Sequence, residues 1–341
     1  ACRERNIEVY LQVQSAIPPG YRVQFGGPVE DDMPRLPDGS ITTRKLDKNG
    51  SLASEEILGY GEALIRDLTA RYPTIDGIRI DWPEYPPYFL ETVFLDFGEH
   101  ARNFAEGVGI DFERMRLKVL ALYKHLTEEL TDQDLQAYLD SPESFFEKWS
   151  DCQEWLDFKS TLVSNLLRRF KNAIGKDKSL FPSSFPPPWN RLSGFDFSQA
   201  SEIVDAISCK YYTMHWPMML RNYADSLTEK NQPLNKALLA QGLANAFDAY
   251  SPIPPSSDDI EYPQPEENHP VSLGSLANKQ QWVAGQVGDT PVWGLGHAYG
   301  PIEDVKKRAK AVFNASNERL WINRYAYMSD EKLDGLATVF K

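Results

Sequence analysis

Residues 76–87 read Asp76-Gly77-Ile78-Arg79-Ile80-Asp81-Trp82-Pro83-Glu84-Tyr85-Pro86-Pro87. Side chains alternate along a strand, so Ile78 and Ile80 face one way and Arg79 and Asp81 the other. The run stops at an aromatic-proline turn. Before it, Ile57, Tyr60, Gly61, Leu64, Ile65 and Leu68 recur at helical spacing, closed by Tyr72-Pro73. After it, a helix buries Val163, Leu166, Leu167, Phe170 and Ile174 ahead of another short apolar run. Strands separated by helices pair in parallel, because each helix carries the chain back to the starting edge. In a barrel the outer face meets helices and takes the isoleucines. Arg79 and Asp81 then point inside, with Asp81 at the mouth and Arg79 one layer below.

Working outward, the same alternation predicts strands over 7–14, 75–81, 179–184, 205–213, 290–297 and 319–325. Helices are predicted around 216–229, 234–249 and 274–287, with another opening at Gly300-Pro301. Ser329 caps a last helix whose first turn holds Asp330 and Glu331. Three long excursions interrupt the pattern: a βα loop at 17–50, a helical insertion at 82–154 and a Pro-rich loop at 251–270. The fold class expected is α/β, a (β/α)8 TIM barrel forming one catalytic-type domain over 1–341. Six βα units are visible and a closed barrel needs eight. Residues 1–6 read as the tail of a helix, so the first two units are expected to be missing from this chain. An open doubly wound sheet is the alternative, but no Gly-rich dinucleotide turn follows the first strand.

The net charge of −13 argues against a general nucleic-acid binder, since phosphate backbones would be repelled. No apolar run is long enough to span a bilayer, and Ala1-Cys2-Arg3-Glu4-Arg5 is too polar to open a secretory signal. Cys2, Cys152 and Cys209 are widely spaced and read as reduced, buried thiols. No His/Cys/Asp cluster has zinc spacing, so no metal is expected. Gly294-x-Gly296-x-x-x-Gly300 has the wrong spacing for a phosphate cradle.

The hexapeptide Asp76-Gly77-Ile78-Arg79-Ile80-Asp81 resembles the fourth-strand motif of alpha-amylase-type glycoside hydrolases, in which the final Asp is the nucleophile and the Arg supports it. The chain over 7–341 more closely resembles the glycoside-hydrolase-like barrels of many largely uncharacterised bacterial proteins. There a helix ending in Tyr precedes a DGI…D strand, an aromatic-Pro turn follows, and a long helix leads to the fifth strand. The corresponding residues are Tyr72, Asp76-Gly77-Ile78, Asp81, Tyr85-Pro86 and the helix over 155–174. The resemblance implies a carbohydrate substrate, an extracytoplasmic location, and that the first strand here is the third of the barrel. The chain departs from the amylase pattern at two strand ends. Phe181-Pro182-Ser183-Ser184 carries no acid, and Gly294-Leu295-Gly296-His297 offers a histidine without the following aspartate.

Several further side chains are candidates. Arg79 beside Asp81 favours the ionised carboxylate, which suits a nucleophile or stabiliser of an oxocarbenium-like transition state. Glu84 is either the acid partner or a solvated loop carboxylate. Trp82, Tyr85 and Tyr88 offer planes for sugar rings. Gln12 and Gln14 share a face with Tyr10 and either bind sugar hydroxyls or fill the barrel interior. Lys210, Tyr212, His215 and Trp216 surround one strand end, where His215 could serve as acid or base near neutral pH. His297 and Asn323 close the next two strands, while Asp205 begins one and reads as structural. Glu266, Glu267 and His269 lie where a loop could fold over the cleft.

The function expected is therefore that of a glycosidase cleaving or binding an oligo- or polysaccharide, with Asp81, Glu84 and Arg79 at its centre. Gln12, Gln14, Trp82, Tyr85, Tyr212, His215, His297 and Asn323 would hold the sugar. No cofactor is required, because this chemistry needs carboxyl groups and aromatic floors rather than an electron carrier. The alternatives are a silent glycan-binding barrel and a lyase or isomerase of a sugar acid. The latter needs a base such as Lys210 or Arg324 near the carboxylate.

Overall fold

The computed structural model describes residues 2–15, 28–45 and 49–340, so part of the expected 17–50 loop lies outside the described residues. Six parallel strands pair in chain order: β1 (Tyr10–Gln14), β2 (Gly77–Asp81), β3 (Ser179–Ser184), β4 (Ile207–Lys210), β5 (Val292–His297) and β6 (Leu320–Asn323). They form a curled half-barrel, and rings from its two edge strands meet across the concave face: Tyr10 of β1 lies 6.2 Å from Trp321 of β6. Phe181 of β3 touches both, at 5.9 and 5.2 Å.

The strands are shorter than alternation alone predicts, because each ends where its neighbour's ladder ends. β4 begins at Ile207 rather than 205, and Asp205 instead uses its carboxylate to accept from Leu180 N at 2.7 Å and from Lys171 Nζ at 2.6 Å. Arg324 adopts a left-handed φ of 69°, which ends β6 at Asn323. Of the three cysteines, Cys152 and Cys209 are buried, but Cys2 is exposed.

Register fixes which side chains face inward. Gln12 pairs with Arg79 and Phe181, and Gln14 with Asp81 and Ser183. The same parity carries to Ser208 and Lys210, Trp293, Leu295 and His297, then Trp321 and Asn323. Gly77 belongs to this face for a steric reason: a Cβ there would stand 2.3 Å from Ser179 O and 2.7 Å from the Tyr10 ring. On the outer face Ile78, Ile80, Leu180 and Ile207 are fully buried. Helix α1 (Glu55–Arg71) packs there on α7 (Gln153–Ile174). At Gly61 a Cβ would come within 2.5 Å of the Phe170 ring, so glycine permits the close approach of these two helices.

The 82–154 insertion folds as α2 (Leu90–Val93), α3 (Glu99–Gly107), α4 (Phe112–Glu128), α5 (Asp132–Asp140) and α6 (Pro142–Lys148). Asp111 and Thr131 cap α4 and α5 by accepting from Arg114 N and Asp134 N. After β3 come α8 (Trp189–Ser193) and α9 (Phe197–Ser201), and after β4 come α10 (His215–Glu229) and α11 (Lys236–Phe247). The insertion packs on α10 and α11. Helices α12 (Leu273–Gln286), α13 (Ile302–Ala315) and α14 (Asp330–Val339) complete the C-terminal units. Pro301 stands just ahead of α13 as its cap residue, and Ser329 caps α14 by accepting from Lys332 N. Among the described residues no helix is long and apolar enough to cross a membrane.

Candidate active site

β2 delivers Asp81 to the carboxyl end of the sheet. Its neighbour β3 presents the small side chain of Ser183 there, so the Lys210 side chain reaches across from β4. Lys210 Nζ lies 3.1 Å from Asp81 Oδ1 and 3.4 Å from Glu84 Oε1, and 4.5 Å from the centre of the Phe185 ring. Gln12 completes the carboxylate's setting from β1. Its amide donates to Asp81 Oδ2 at 3.2 Å, and its carbonyl accepts from Arg79 Nη1. Arg79 is held over the Trp321 ring at 5.3 Å, and its Nε and Nη2 are buried without a hydrogen-bond partner.

These surroundings push the two carboxyl groups apart. Burial alone would raise the Asp81 pKa, but the charges of Lys210 and then Arg79 outweigh it and hold the group below its ordinary value. Glu84 is fully enclosed, so burial dominates; Lys210 offsets it only in part, Asp81 adds to it, and the pKa rises to about 7. The expectation of a solvated loop carboxylate at Glu84 is thereby corrected: the turn after β2 folds inward and seals the side chain. That turn is strained at its first residue. Trp82 has a φ of +55°, unusual for a bulky side chain, and Ser15 Oγ donates to its carbonyl at 2.6 Å.

An aromatic wall adjoins the carboxylates. Trp82 meets Tyr88 edge-on at 6.1 Å, and Tyr88 Oη is 3.0 Å from His215 Nδ1. Tyr212 lies 5.8 Å from His215 and 5.3 Å from His297, and its hydroxyl accepts from Asn323 Nδ2 at 2.7 Å. Burial, with Arg324 adding to it, lowers the His215 pKa to about 4. Burial, followed by His215 and Arg324, lowers that of His297 to about 3. Burial thus favours the neutral form of both rings, which weighs against His215 as an acid near neutral pH and leaves it as a base or hydrogen-bonding group.

Tyr85 also departs from the expectation. It is fully buried, its hydroxyl donating to Asp96 Oδ2 at 3.1 Å and accepting from Leu52 N at 3.0 Å. It braces the loop beneath the site and offers no plane to a ligand. Gln14 shares the inward face one row above Gln12 and is half-buried, and Trp82 and Asn323 are half-buried as well. In the 251–270 loop Glu266 and Glu267 are exposed, whereas His269 is buried with Nδ1 2.6 Å from Thr213 Oγ1. This anchor brings Tyr262, not a glutamate, to within 6.3 Å of the His215 ring. Tyr262 also meets Tyr299 at 5.6 Å, and Tyr327 lies 5.7 Å from His297.

Sequence reasoning missed Tyr262, Tyr299 and Tyr327, for which no periodic signal exists. It undervalued Lys210, whose signal was present: a lysine sharing one strand face with Ser208 among buried apolar neighbours. Among the described residues no group of three or more His, Cys, Asp or Glu side chains is placed to hold a metal.

No family model matches the chain, and no curated protein does. Solved structures do. A β-galactosidase from the psychrophilic Marinomonas ef1 aligns over 99% of this chain with a TM-score of 0.56 at 12% identity. The chain spans 50% of that enzyme's length. The catalytic domain of a β-amylase from Paenibacillus polymyxa aligns over 99% of this chain and 82% of its own, with a TM-score of 0.49 at 10% identity. A class V chitinase from Pseudomonas fluorescens aligns over 100% and 83%, at 0.45 and 10% identity. At such identities the likeness is one of fold alone, and the fold of this chain, a curled parallel β/α sheet with its polar cluster at the carboxyl ends of the strands, is glycoside-hydrolase-like.

Proposed function

We propose that the chain acts on glycosidic bonds, with Asp81 as its ionised carboxylate and Glu84 as the acid partner. One observation carries this reading: two carboxyl groups share the Lys210 ammonium yet are pushed apart, Asp81 below its ordinary value and Glu84 up to about 7. Glycosidic cleavage asks for such a division, one group charged to meet an oxocarbenium-like centre and one protonated to give its proton to the leaving oxygen. Arg79 and Gln12 keep Asp81 charged and oriented. Trp82 and Tyr212 supply ring faces, and neutral His215 and His297 supply hydrogen bonds to hydroxyls. Glu84 is enclosed, so its proton reaches a substrate only when the strained turn at Trp82 shifts.

Two further βα units, set against the free edges of β1 and β6, would complete an eight-stranded barrel. Reducing-end release is measured over a glycan panel for the wild type and Asp81→Asn. The wild type is expected to release product. The variant is expected to lose activity by about a thousandfold or more while still binding glycan. Equal product from both proteins removes Asp81 from the mechanism. Saturable binding with no product from either identifies a silent glycan-binding barrel. A second reading, elimination from a sugar acid, draws support from Lys210 beside Asp81 and from the unpaired nitrogens of Arg79. Uronic-acid oligosaccharides separate it, since elimination leaves an unsaturated product absorbing in the ultraviolet.

A further inference from the structure

Away from Asp81, the helical insertion and the helices after β4 enclose a second concave space of about 380 Å³. Its wall is apolar, mixing aromatic rings with aliphatic side chains, of which Leu122, Leu126, Leu135, Leu227, Leu239 and Leu243 come from α4, α5, α10 and α11. The space reaches the surface at Phe146, which lines it and is 62% exposed. The space is a cleft open to solvent, so its apolar wall stands against water that an apolar ligand would displace. The volume falls in the range of small-molecule sites, which are apolar with a few placed polar groups.

Those polar groups stand at the rim. Trp149 Nε1 is buried without a hydrogen-bond partner, and its ring lies 5.3 Å from that of His125. Lys148 Nζ sits 5.4 Å from the centre of the Trp149 ring. Asp134, the one acid among the described lining residues, accepts through Oδ2 from Thr131 N at 3.0 Å and Oγ1 at 2.6 Å, and its Oδ1 lies 3.7 Å from His125 Nε2. The rim thus offers a cation and an unsatisfied indole N–H, while the interior offers hydrocarbon. The indole N–H is a donor that an acceptor on a ligand can satisfy. We propose that this space is a binding site for a fatty-acyl chain, its tail among the leucines and its acidic head group against Trp149 Nε1 and Lys148. It is independent of the glycan reading, since no residue of the Asp81 cluster lines it.

Gly242 provides the test. It lies on the wall in α11, and a Cβ there would meet nothing nearer than Tyr138 at 4.0 Å. A side chain at 242 therefore has room for its first carbon, and Gly242→Leu directs the rest of its bulk along this wall of the space. Dodecanoate and dodecanol are titrated below their aggregation limits by calorimetry into delipidated wild type, Gly242→Leu and Trp149→Phe. The wild type is expected to bind dodecanoate at least tenfold more tightly than dodecanol. Gly242→Leu is expected to lose at least tenfold for both while its melting temperature holds or rises. Trp149→Phe is expected to weaken dodecanoate several-fold and leave dodecanol unchanged. No binding by the wild type, or binding untouched by Gly242→Leu, overturns the site. Equal affinity for acid and alcohol overturns the head-group assignment.

Discussion

Lys210 carries one positive charge against two carboxyl groups; its ammonium and Glu84 are fully buried, and Asp81 is the member that solvent touches. Removing one partner from a buried ionic cluster costs more than the cluster itself contributes, because the others remain desolvated and unpaired. Lys210→Met is expected to lower unfolding stability by about 3–5 kcal/mol in urea titration. Adding Asp81→Asn to it should recover part of that loss, since the carboxylate orphaned by the lost ammonium is then neutral. A double variant no more stable than Lys210→Met would show that Asp81 does not depend on the ammonium. The pH sign for Glu84 follows from its raised pKa. Its contribution to stability is full below the unfolded value near 4.5 and is lost as pH rises through about 7.

At the scale of elements, the turn after β2 does two different jobs with neighbouring residues. Trp82 and Glu84 face the site, while Tyr85 turns to the other side and ties the turn to the loop at Leu52 and Asp96. Asp96 is buried and also accepts from Arg35 N at 3.1 Å and Gly98 N at 2.8 Å. Nearby, Lys159 of α7 donates to the carbonyls of Val93 and Leu192 and lies over the Tyr85 and Trp155 rings. Tyr85→Phe leaves Leu52 N–H without its acceptor and Asp96 short of a donor. A loss of about 1–3 kcal/mol in stability is expected, with ligand binding by the folded protein unchanged. Selective loss of glycan binding at full stability would instead return Tyr85 to the ligand-binding face.

For the molecule as a whole, two buried histidines and the half-buried His215 shape the response to acid. His215, His269 and His297 all have pKa values lowered first by burial. Each is neutral when folded and takes up a proton more readily when unfolded. Their stabilisation is present above about pH 6.5 and is lost as pH falls toward 4. Glu84 opposes this over part of the window, but three groups outnumber one. The midpoint of denaturant unfolding should therefore fall steadily between about pH 6.5 and 4.5. A flat profile across that interval would mean that these rings are not held neutral by burial.

The sequence by itself determined the βα order, the parallel pairing and the inward direction of Arg79 and Asp81. Those depend on short-range periodicity: two residues per strand repeat, near four per helix turn, and the requirement that a helix return the chain to the same edge. It also marked Asp205 as structural from its place at the start of a strand. Only the tertiary structure decided what the carboxylate meets. Lys210 reaches Asp81 because an intervening strand carries serine there, a coincidence of register that no local pattern encodes. Whether Glu84 is solvated or sealed, and whether Tyr85 faces ligand or core, depends on how an irregular turn folds over the sheet, and proline-rich turns carry no period to read. The aromatic wall of Tyr262, Tyr299 and Tyr327 is assembled from three separate loops. Contacts between such distant segments are fixed by packing against the finished sheet, which exists only once the chain has folded.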